Sequence, residues 1–473
     1  MESKSQLELL FDKPANRLKA RLEGGDFTLF FELDPPDRDC DVATATARLA
    51  PFVAAVNSVE GLGAAVAVTD RRAGTDTYNV ADFAARLLPE DRDKHLLFVS
   101  GRGAARQEVK DTLAGCLNYG FPNVVAVTGD ALEPAAGGRR RGFVDSLDTL
   151  GMVAEGAKAQ AYAGCACSPF KYVPASSYSQ YFKLMKKLAR GASFVVAQAG
   201  WDLVKHQELR WYLESRDSFC PSLARVVLLT PERAARIASG AYPGVYLSPD
   251  HQSILSRESR FSEAQFMAAQ WRRLQFMVAG LRLLGYSGVV ISGADKPQWI
   301  LTASNKIAEA LKEFPDFHEW RAANDVHMAR SEMAPYPYRF YVFENLFSEA
   351  YASAPIMSRT PFEPCSRGEK LRRRLAELLL ASAAASGPGK SLFLKKFLAG
   401  CPGCPTCRLP LTQYVCPELC PKGLANGPCG GSKANGECEA RRQECVHAKI
   451  TRLANWARQL PTLEERHIPP VNQ

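Results

Sequence analysis

Eight cysteines crowd between residues 401 and 445 of this chain: Cys401, Cys404, Cys407, Cys416, Cys420, Cys429, Cys438 and Cys445. They read C-P-G-C-P-T-C, then C-P-E-L-C-P-K, then N-G-P-C-G-G. Cys-x-x-Cys loops bring thiolates within a few ångströms of each other, as a tetrahedral zinc or an iron–sulfur cube requires. Cys-x-x-Cys-x-x-Cys opens a ferredoxin-type ligand run, and Cys420-Pro421 has the form that closes one. Eight thiolates could hold two four-thiolate sites. Thiolates alone do not separate iron from zinc, so one or two [4Fe–4S] clusters are expected, with zinc as the alternative. His447 reads as a surface residue at a helix start. Cys40, Cys116, Cys165, Cys167, Cys220 and Cys365 are scattered, and most read as small apolar fillers.

A second set of polar residues lies at the ends of short apolar runs. Glu32 closes F-T-L-F-F-E-L (27–33), ahead of Asp34-Pro35-Pro36. Thr69 follows A-A-V-A-V, and Ser100 ends L-L-F-V-S. Gly129-Asp130 follow N-V-V-A-V-T, and Gln198 ends S-F-V-V-A-Q. A carboxyl group in apolar surroundings has its charged form disfavoured, so Glu32 could act as a general acid near neutral pH. The plainer reading is an ion pair with a nearby Lys or Arg. Asp130 could cap a helix, and Gln198 could be a buried amide.

The elements that must position these groups follow from periodicity. Eight runs, the five above with 162–167, 225–230 and 288–293, are apolar nearly throughout, as strands of a parallel sheet buried on both faces are. Helical patterns lie between them at 42–56, 80–88, 104–119, 144–157, 177–190, 202–215, 231–239 and 260–284. Eight β/α alternations predict an α/β fold, a (β/α)8 TIM barrel, with the polar residues above at its C-terminal rim. The expected organisation is a helical lead-in over 1–24, the barrel over 25–312, an aromatic and basic connecting segment over 313–390, and a small cysteine-rich metal-binding domain over 391–473. The aromatic stretch 335–347 is expected to pack the cysteine domain on the barrel mouth or to meet another subunit. S-G-P-G at 386–389 reads as a hinge.

The 473 residues are 46% hydrophobic and 23% charged, typical of a globular protein of two or three domains. The net charge of +9 includes R-R-R at 139–141 and at 372–374. No basic motif interleaved with aromatics appears, so nucleic acid is not an expected partner. The first 25 residues lack the apolar core of a signal peptide, and no run is long enough to span a membrane. A cytoplasmic location is expected, where clustered cysteines favour metal over disulfides. The expected state is an oligomer.

F-F-E-L-D-P-P, V-T-G-D, C-S-P-F-K, Q-Y-F-K-L-M-K-K-L-A-R-G-A-S-F-V-V-A-Q-A-G-W-D and L-G-Y-S-G-V-V-I-S-G together resemble methylenetetrahydrofolate reductase over residues 15–310. The cysteine tail resembles the cysteine-rich partner of that reductase in acetogen-type enzymes, here fused to it. The resemblance implies reduction of methylenetetrahydrofolate to methyltetrahydrofolate by a bound flavin. Glu32 would be the general acid. Asp130 would lie between flavin and pterin, and Gln198 would contact the folate. Thr69, Ser100, Gly129, Cys167 and Lys187 would fall at the flavin, the lysine near a phosphate. Phe98, Cys167 and Thr128 depart from the family's usual histidine, tyrosine and arginine, which leaves FMN as the alternative to FAD. Electrons would come from NAD(P)H or, through the cysteine domain, from a donor protein such as ferredoxin or an NADH-oxidising subunit. Two other readings are a folate/corrinoid methyltransferase-type barrel and a non-catalytic flavin and cluster adaptor in a redox complex.

Overall fold

The computed structural model describes residues 16–70, 76–131, 142–156, 160–331, 339–347, 355–380 and 392–469. The 139–141 arginines, the 386–389 hinge and residues 1–15 lie outside them. The strands are β1 (Thr28–Leu33), β2 (Ala65–Val68), β3 (Leu96–Ser100), β4 (Asn123–Val127), β5 (Tyr162–Cys167), β6 (Phe194–Ala197), β7 (Ser222–Val227) and β8 (Gly288–Ser292). Neighbours pair in parallel and β8 pairs back to β1, so the sheet closes as an eight-stranded barrel. The helices in chain order are α1 (Arg17–Glu23), α2 (Val42–Asn57), α3 (Val80–Leu87), α4 (Arg106–Asn118), α5 (Ser146–Gly156), α6 (Pro174–Ala189), α7 (Leu203–Glu214), α8 (Pro231–Ala238), α9 (Pro249–Glu258), α10 (Glu263–Leu283), α11 (Pro297–Glu313) and α12 (Phe317–Ser331). The tail adds α13 (Arg367–Leu380), α14 (Leu392–Ala399), α15 (Val446–Trp456) and α16 (Leu460–Glu465).

Strand alternation sorts the side chains into two layers. Phe30, Ala65, Ala67, Leu96, Val125, Tyr162, Phe194, Val196, Leu223 and Val290 fill the barrel interior. Phe31, Leu33, Val66, Val99, Cys165, Cys167 and Ile291 face the helices instead. Gly164 leaves room for the Phe194 ring, whose atoms would lie 2.3 Å from an added Cβ. That ring stacks on Tyr162, with centroids 4.9 Å apart. Leu18 and Leu22 of α1 join the same interior cluster, so α1 plugs the end of the barrel opposite the strand C-termini. Asn16 holds the plug by donating to the Asn123 Oδ1 at 2.8 Å.

Two elements differ from the periodicity reading. The seventh strand runs Ser222–Val227 rather than 225–230, because Leu223 to Val227 pair in register with Gly288 to Ser292 of β8. The pattern read as one helix over 260–284 is preceded by a separate helix, α9, capped by Ser248, whose Oγ accepts from the His251 N–H. Beyond β8, α11 closes the ring of helices and α12 adds a further layer. Trp320 of α12 is fully buried, and its indole N–H donates to the Phe276 carbonyl of α10 at 2.9 Å.

The described part of the aromatic segment, 339–347, docks on α7. Val342 N–H donates to Glu208 at 2.6 Å and Phe347 N–H to Gln207 at 2.7 Å. Tyr341 and Tyr172 hydroxyls both donate to Asp202, at 2.9 and 2.8 Å. Lys205 forms a wholly buried ion pair with Glu208 and lies over the Tyr172 and Tyr341 rings. A buried pair of this kind is tolerated where its remaining hydrogen-bond capacity is filled, as here.

The cysteine-rich region lies against the β4–β5 side of the barrel mouth and the face of α6. Gln180 donates to the Cys429 carbonyl at 2.9 Å, and Tyr172 N–H to the Ala434 carbonyl at 2.9 Å. Lys171 donates to the Gly430 carbonyl at 3.3 Å and also reaches the Ser432 carbonyl. His447, read as a surface residue, is instead only 3% exposed. The apolar side of α15 packs inward and takes it along. Among the described residues no helix is long and apolar enough to cross a membrane.

Candidate active site at the barrel mouth

Glu32, Ser100, Gln198, Arg225 and Ser292 lie at or near the C-terminal ends of β1, β3, β6, β7 and β8. Glu32 points to the interior above Phe30, while Phe31 and Leu33 on either side of it face the helices. One carboxyl oxygen, Oε1, is paired with the Arg225 guanidinium. The other, Oε2, is buried without a hydrogen-bond partner among the described residues. Burial pushes the Glu32 pKa above the ordinary carboxylate value, against the opposing pull of Arg225. The ion pair of the plainer reading is therefore present, yet it does not cancel the rise.

Arg225 links the rim. It donates from Nε to the Ser292 hydroxyl at 2.9 Å and from Nη1 to the Gln198 Oε1 at 3.4 Å. Gln198 also accepts from the Ala199 N–H at 3.0 Å. Sequence reasoning missed Arg225 because it placed this residue at the start of a 225–230 strand, at the wrong end of the barrel. A lone arginine inside an apolar strand was the available signal.

On the other side of the mouth, Thr69 donates its hydroxyl to Asp34. The Ser100 N–H donates to Asp70 at 2.9 Å, and its Oγ accepts from the Arg102 N–H at 3.2 Å. Gly129 has φ +80, and a Cβ there would lie 2.4 Å from Ser100 Oγ and 2.6 Å from Arg102 Cβ. Only glycine takes this turn without strain or collision. Arg102 braces the turn from below, donating to the Asp130 carbonyl at 3.2 Å. The helix after β4 starts at Ser146, so Asp130 caps no described helix. Burial raises the Asp130 pKa, with Lys422 the strongest opposing charge.

Lys422 comes from the cysteine-rich region. Its ammonium donates to the Gly129 carbonyl at 2.7 Å, pairs with Glu439 and lies 5.5 Å from the Phe143 ring centroid. Nothing in C-P-K signalled that reach. Breaking a buried pair strands its partner, so Lys422→Met is expected to cost about 3–5 kcal/mol of stability. The expected reading is a lower unfolding temperature, recovered in large part by adding Glu439→Gln.

Two residues lie away from the mouth. Cys167 faces the layer between barrel and helices, where burial pushes its thiol up to about 12. Lys187 is buried in the same layer and donates to the Ala166 carbonyl at 2.6 Å. The position on β5 that opens to the rim is Ser168, whose buried hydroxyl has no partner among the described residues.

The tail cysteines carry no disulfide; Cys401, Cys404 and Cys407 line one small cavity, Cys407 shares an apolar cluster with Cys416, and Cys420 shares another with Cys429. Cys401 and Cys407 both bear on the Cys404 thiol, and Cys401 and Cys404 bear on Cys416. Cys438 bears on Cys420, and Cys429 and Cys420 bear on Cys445. Divided on these lines, the eight form two groups of four thiols, the ligand count of a zinc or cubane site. Among the described residues, no three metal-ligating side chains converge as a bound ion would hold them.

The family model described as methylenetetrahydrofolate reductase matches residues 17–236, and the one described as methylene-tetrahydrofolate reductase C terminal matches residues 386–473. The fold and these matches define an oxidoreductase built on a TIM barrel. The chain belongs to the methylenetetrahydrofolate reductase family, with the barrel and the C-terminal domain of that family fused in one polypeptide. No curated protein matches the chain. Among solved structures, an uncharacterized protein from Clostridium thermocellum that binds two copies of 5-methyl-5,6,7,8-tetrahydrofolic acid is 8% identical, with a TM-score of 0.48 over 63% of this chain and 100% of its own. A Burkholderia cenocepacia protein described as a lyase or mutase is 16% identical, with a TM-score of 0.32 over 68% of this chain and 96% of its own. A second protein from that organism, described as a phosphonomutase, is 13% identical, with a TM-score of 0.33 over 64% of this chain and 100% of its own. Likenesses this loose do not bear on the site.

Proposed function

We propose that the chain reduces 5,10-methylenetetrahydrofolate to 5-methyltetrahydrofolate at the barrel mouth, with a flavin, FAD or FMN, as the redox cofactor and electrons arriving through the C-terminal domain. The observation that carries this reading is Glu32. Its pKa is raised, one oxygen is anchored by Arg225, and the other is buried without a hydrogen-bond partner among the described residues. Opening the folate's five-membered ring requires a proton on a ring nitrogen, which leaves an iminium carbon. A carboxyl whose pKa is raised by burial keeps its proton to higher pH than a free one and is suited to give that proton. Arg225 fixes the carboxyl's orientation and donates to the Gln198 amide, a group whose chemistry suits the amide-like edge of a pterin. Asp130 sits across the mouth on the Gly129 turn.

A flavin bound there would supply the hydride. Thr69, Ser100 and Gly129 lie on three consecutive strand ends along one rim, a position that suits the polar edge of the ring. Lys187, expected near a flavin phosphate, is buried and donates to the Ala166 carbonyl, and Cys167 faces the helices, so neither opens to the mouth. For the tail we propose one or two four-thiolate metal sites, iron–sulfur or zinc, drawn from the two cysteine groups.

The test uses protein purified without oxygen, with flavin, iron and zinc quantified on one sample. Methyltetrahydrofolate is then followed with dithionite-reduced methyl viologen as donor. Bound flavin and folate reduction support the reading. A flavin-bound protein that reduces no folate points to an adaptor. A colourless protein that transfers a methyl group to cobalamin points to the methyltransferase reading.

A further inference from the structure

Helices α13 and α14 each bury one apolar face and still present another to water. Ala376 and Leu380 of α13 pack with Leu398 and Ala399 of α14 over Leu409 and Cys416. On the outer side, Leu371 and Leu378 are 59% and 77% exposed, and Phe393 and Phe397 are 80% and 77% exposed. The spacing is helical: Leu371, Leu375 and Leu378 line one face of α13, and Phe393 and Phe397 one face of α14. Two phenylalanines left this open on α14, with open leucines on the helix packed against it, are apolar exposure of the kind that marks a binding surface. Among the described residues, nothing in this chain covers them, and both helices already have their core contacts.

The rim of the patch carries a sign. On the same two helices Arg372, Arg374 and Lys396 are exposed, Arg374 with its guanidinium over the Trp456 ring, and the exposed acidic residue of α13, Glu377, is already paired with Arg373 at 2.9 Å. A basic rim around an apolar centre is complementary to an acidic partner with an apolar patch of its own. The place of the patch adds to this. Leu392 and Lys395 of α14 line one small cavity together with Cys401, Cys404 and Cys407. A partner seated on α13 and α14 would therefore sit beside the cysteine group that includes these three. The other group faces the barrel, where Gln180 holds the Cys429 carbonyl.

We propose that the apolar face of α13 and α14 is the docking surface for a small acidic electron-donor protein of the ferredoxin class. The proposal rests on the reading of the tail as the entry point for electrons. Two one-electron deliveries from the donor, each oxidising it by one electron, and two protons from water balance one reduction of the methylene group to methyl. The rim charges steer the approach and the phenylalanines hold the bound state.

The experiment measures binding of a low-potential ferredoxin to the full-length protein by calorimetry. It is repeated on Phe393→Ser/Phe397→Ser and on Arg372→Glu/Lys396→Glu. The expected result is salt-sensitive binding to the unaltered protein, weakened by about tenfold or more in both variants, as loss of central aromatic anchors or rim charge predicts. Folate reduction driven by methyl viologen should be unchanged in both. Absence of ferredoxin binding, or equal binding by the phenylalanine variant, overturns the proposal. So does a phenylalanine variant that falls from oligomer to monomer while keeping its ferredoxin affinity, since the face would then join copies of this chain. Loss of viologen-driven folate reduction in the unaltered protein would instead overturn the reductase reading, whatever ferredoxin does.

Discussion

Glu32→Gln protein is expected to retain its flavin and to lose folate reduction by about 10²–10⁴-fold, the usual worth of a positioned general acid. Glutamine keeps the size of the side chain and can still meet Arg225, so folding should be preserved. What it cannot do is give up a proton to the folate nitrogen. The pH profile of the unaltered enzyme supplies a second readout. The protonated form of Glu32 is the active one, so the rate should fall as pH rises through its pKa, which burial holds above the ordinary value. Arg225 opposes that rise. Arg225→Met should therefore move the alkaline limb to higher pH, while also lowering kcat because the carboxyl loses its anchor. An Arg225→Met enzyme whose alkaline limb stays in place would separate that limb from Glu32. Full activity in Glu32→Gln would remove Glu32 as the acid altogether.

Cys416→Ser is expected to empty one metal site and spare the other, read as a partial fall in metal per chain. In the proposed grouping Cys416 goes with Cys401, Cys404 and Cys407, and Cys445 with Cys420, Cys429 and Cys438. Burial holds several of these thiols above their ordinary pKa, with Cys416 at about 12 and Cys429 at about 11. A cation would reverse that cost by binding the thiolate, and a four-thiolate zinc site contributes about 10 kcal/mol or more to the fold around it. The two sites should differ in reach. Cys445 packs against Ala175 at the start of α6, and the loop at Cys429 is bonded to Gln180 of the same helix. Cys445→Ser should thus disturb the barrel, lowering viologen-driven turnover as well as metal content. Cys416→Ser should lower metal content while leaving viologen-driven turnover intact. Loss of all metal from either single substitution would mean one shared site rather than two.

The barrel was largely legible because its signals are local. Apolar runs alternating with amphipathic stretches need no knowledge of what packs where. The failures were failures of register and of distance. A three-residue shift in β7 changes which end of the barrel Arg225 occupies, and four consecutive apolar residues, 226–229, gave periodicity no means to place the strand. Cys167 lies on a real strand, but alternation turns it towards the helices, one residue short of the rim at Ser168. Lys187 lies on a real helix whose inner face buries the ammonium under Ala166.

By itself the sequence determined the eight-fold β/α alternation, the rim positions of Glu32, Ser100 and Gln198, and the count and crowding of the tail cysteines. Each depends on spacing along the chain. Only the tertiary structure decided that Arg225 joins Glu32, Gln198 and Ser292, and that Lys422 reaches the Gly129 turn across 293 residues of sequence. Those contacts depend on barrel closure and on the docking of the tail against α6. Periodicity shows which side of an element is apolar, and only packing shows what that side meets.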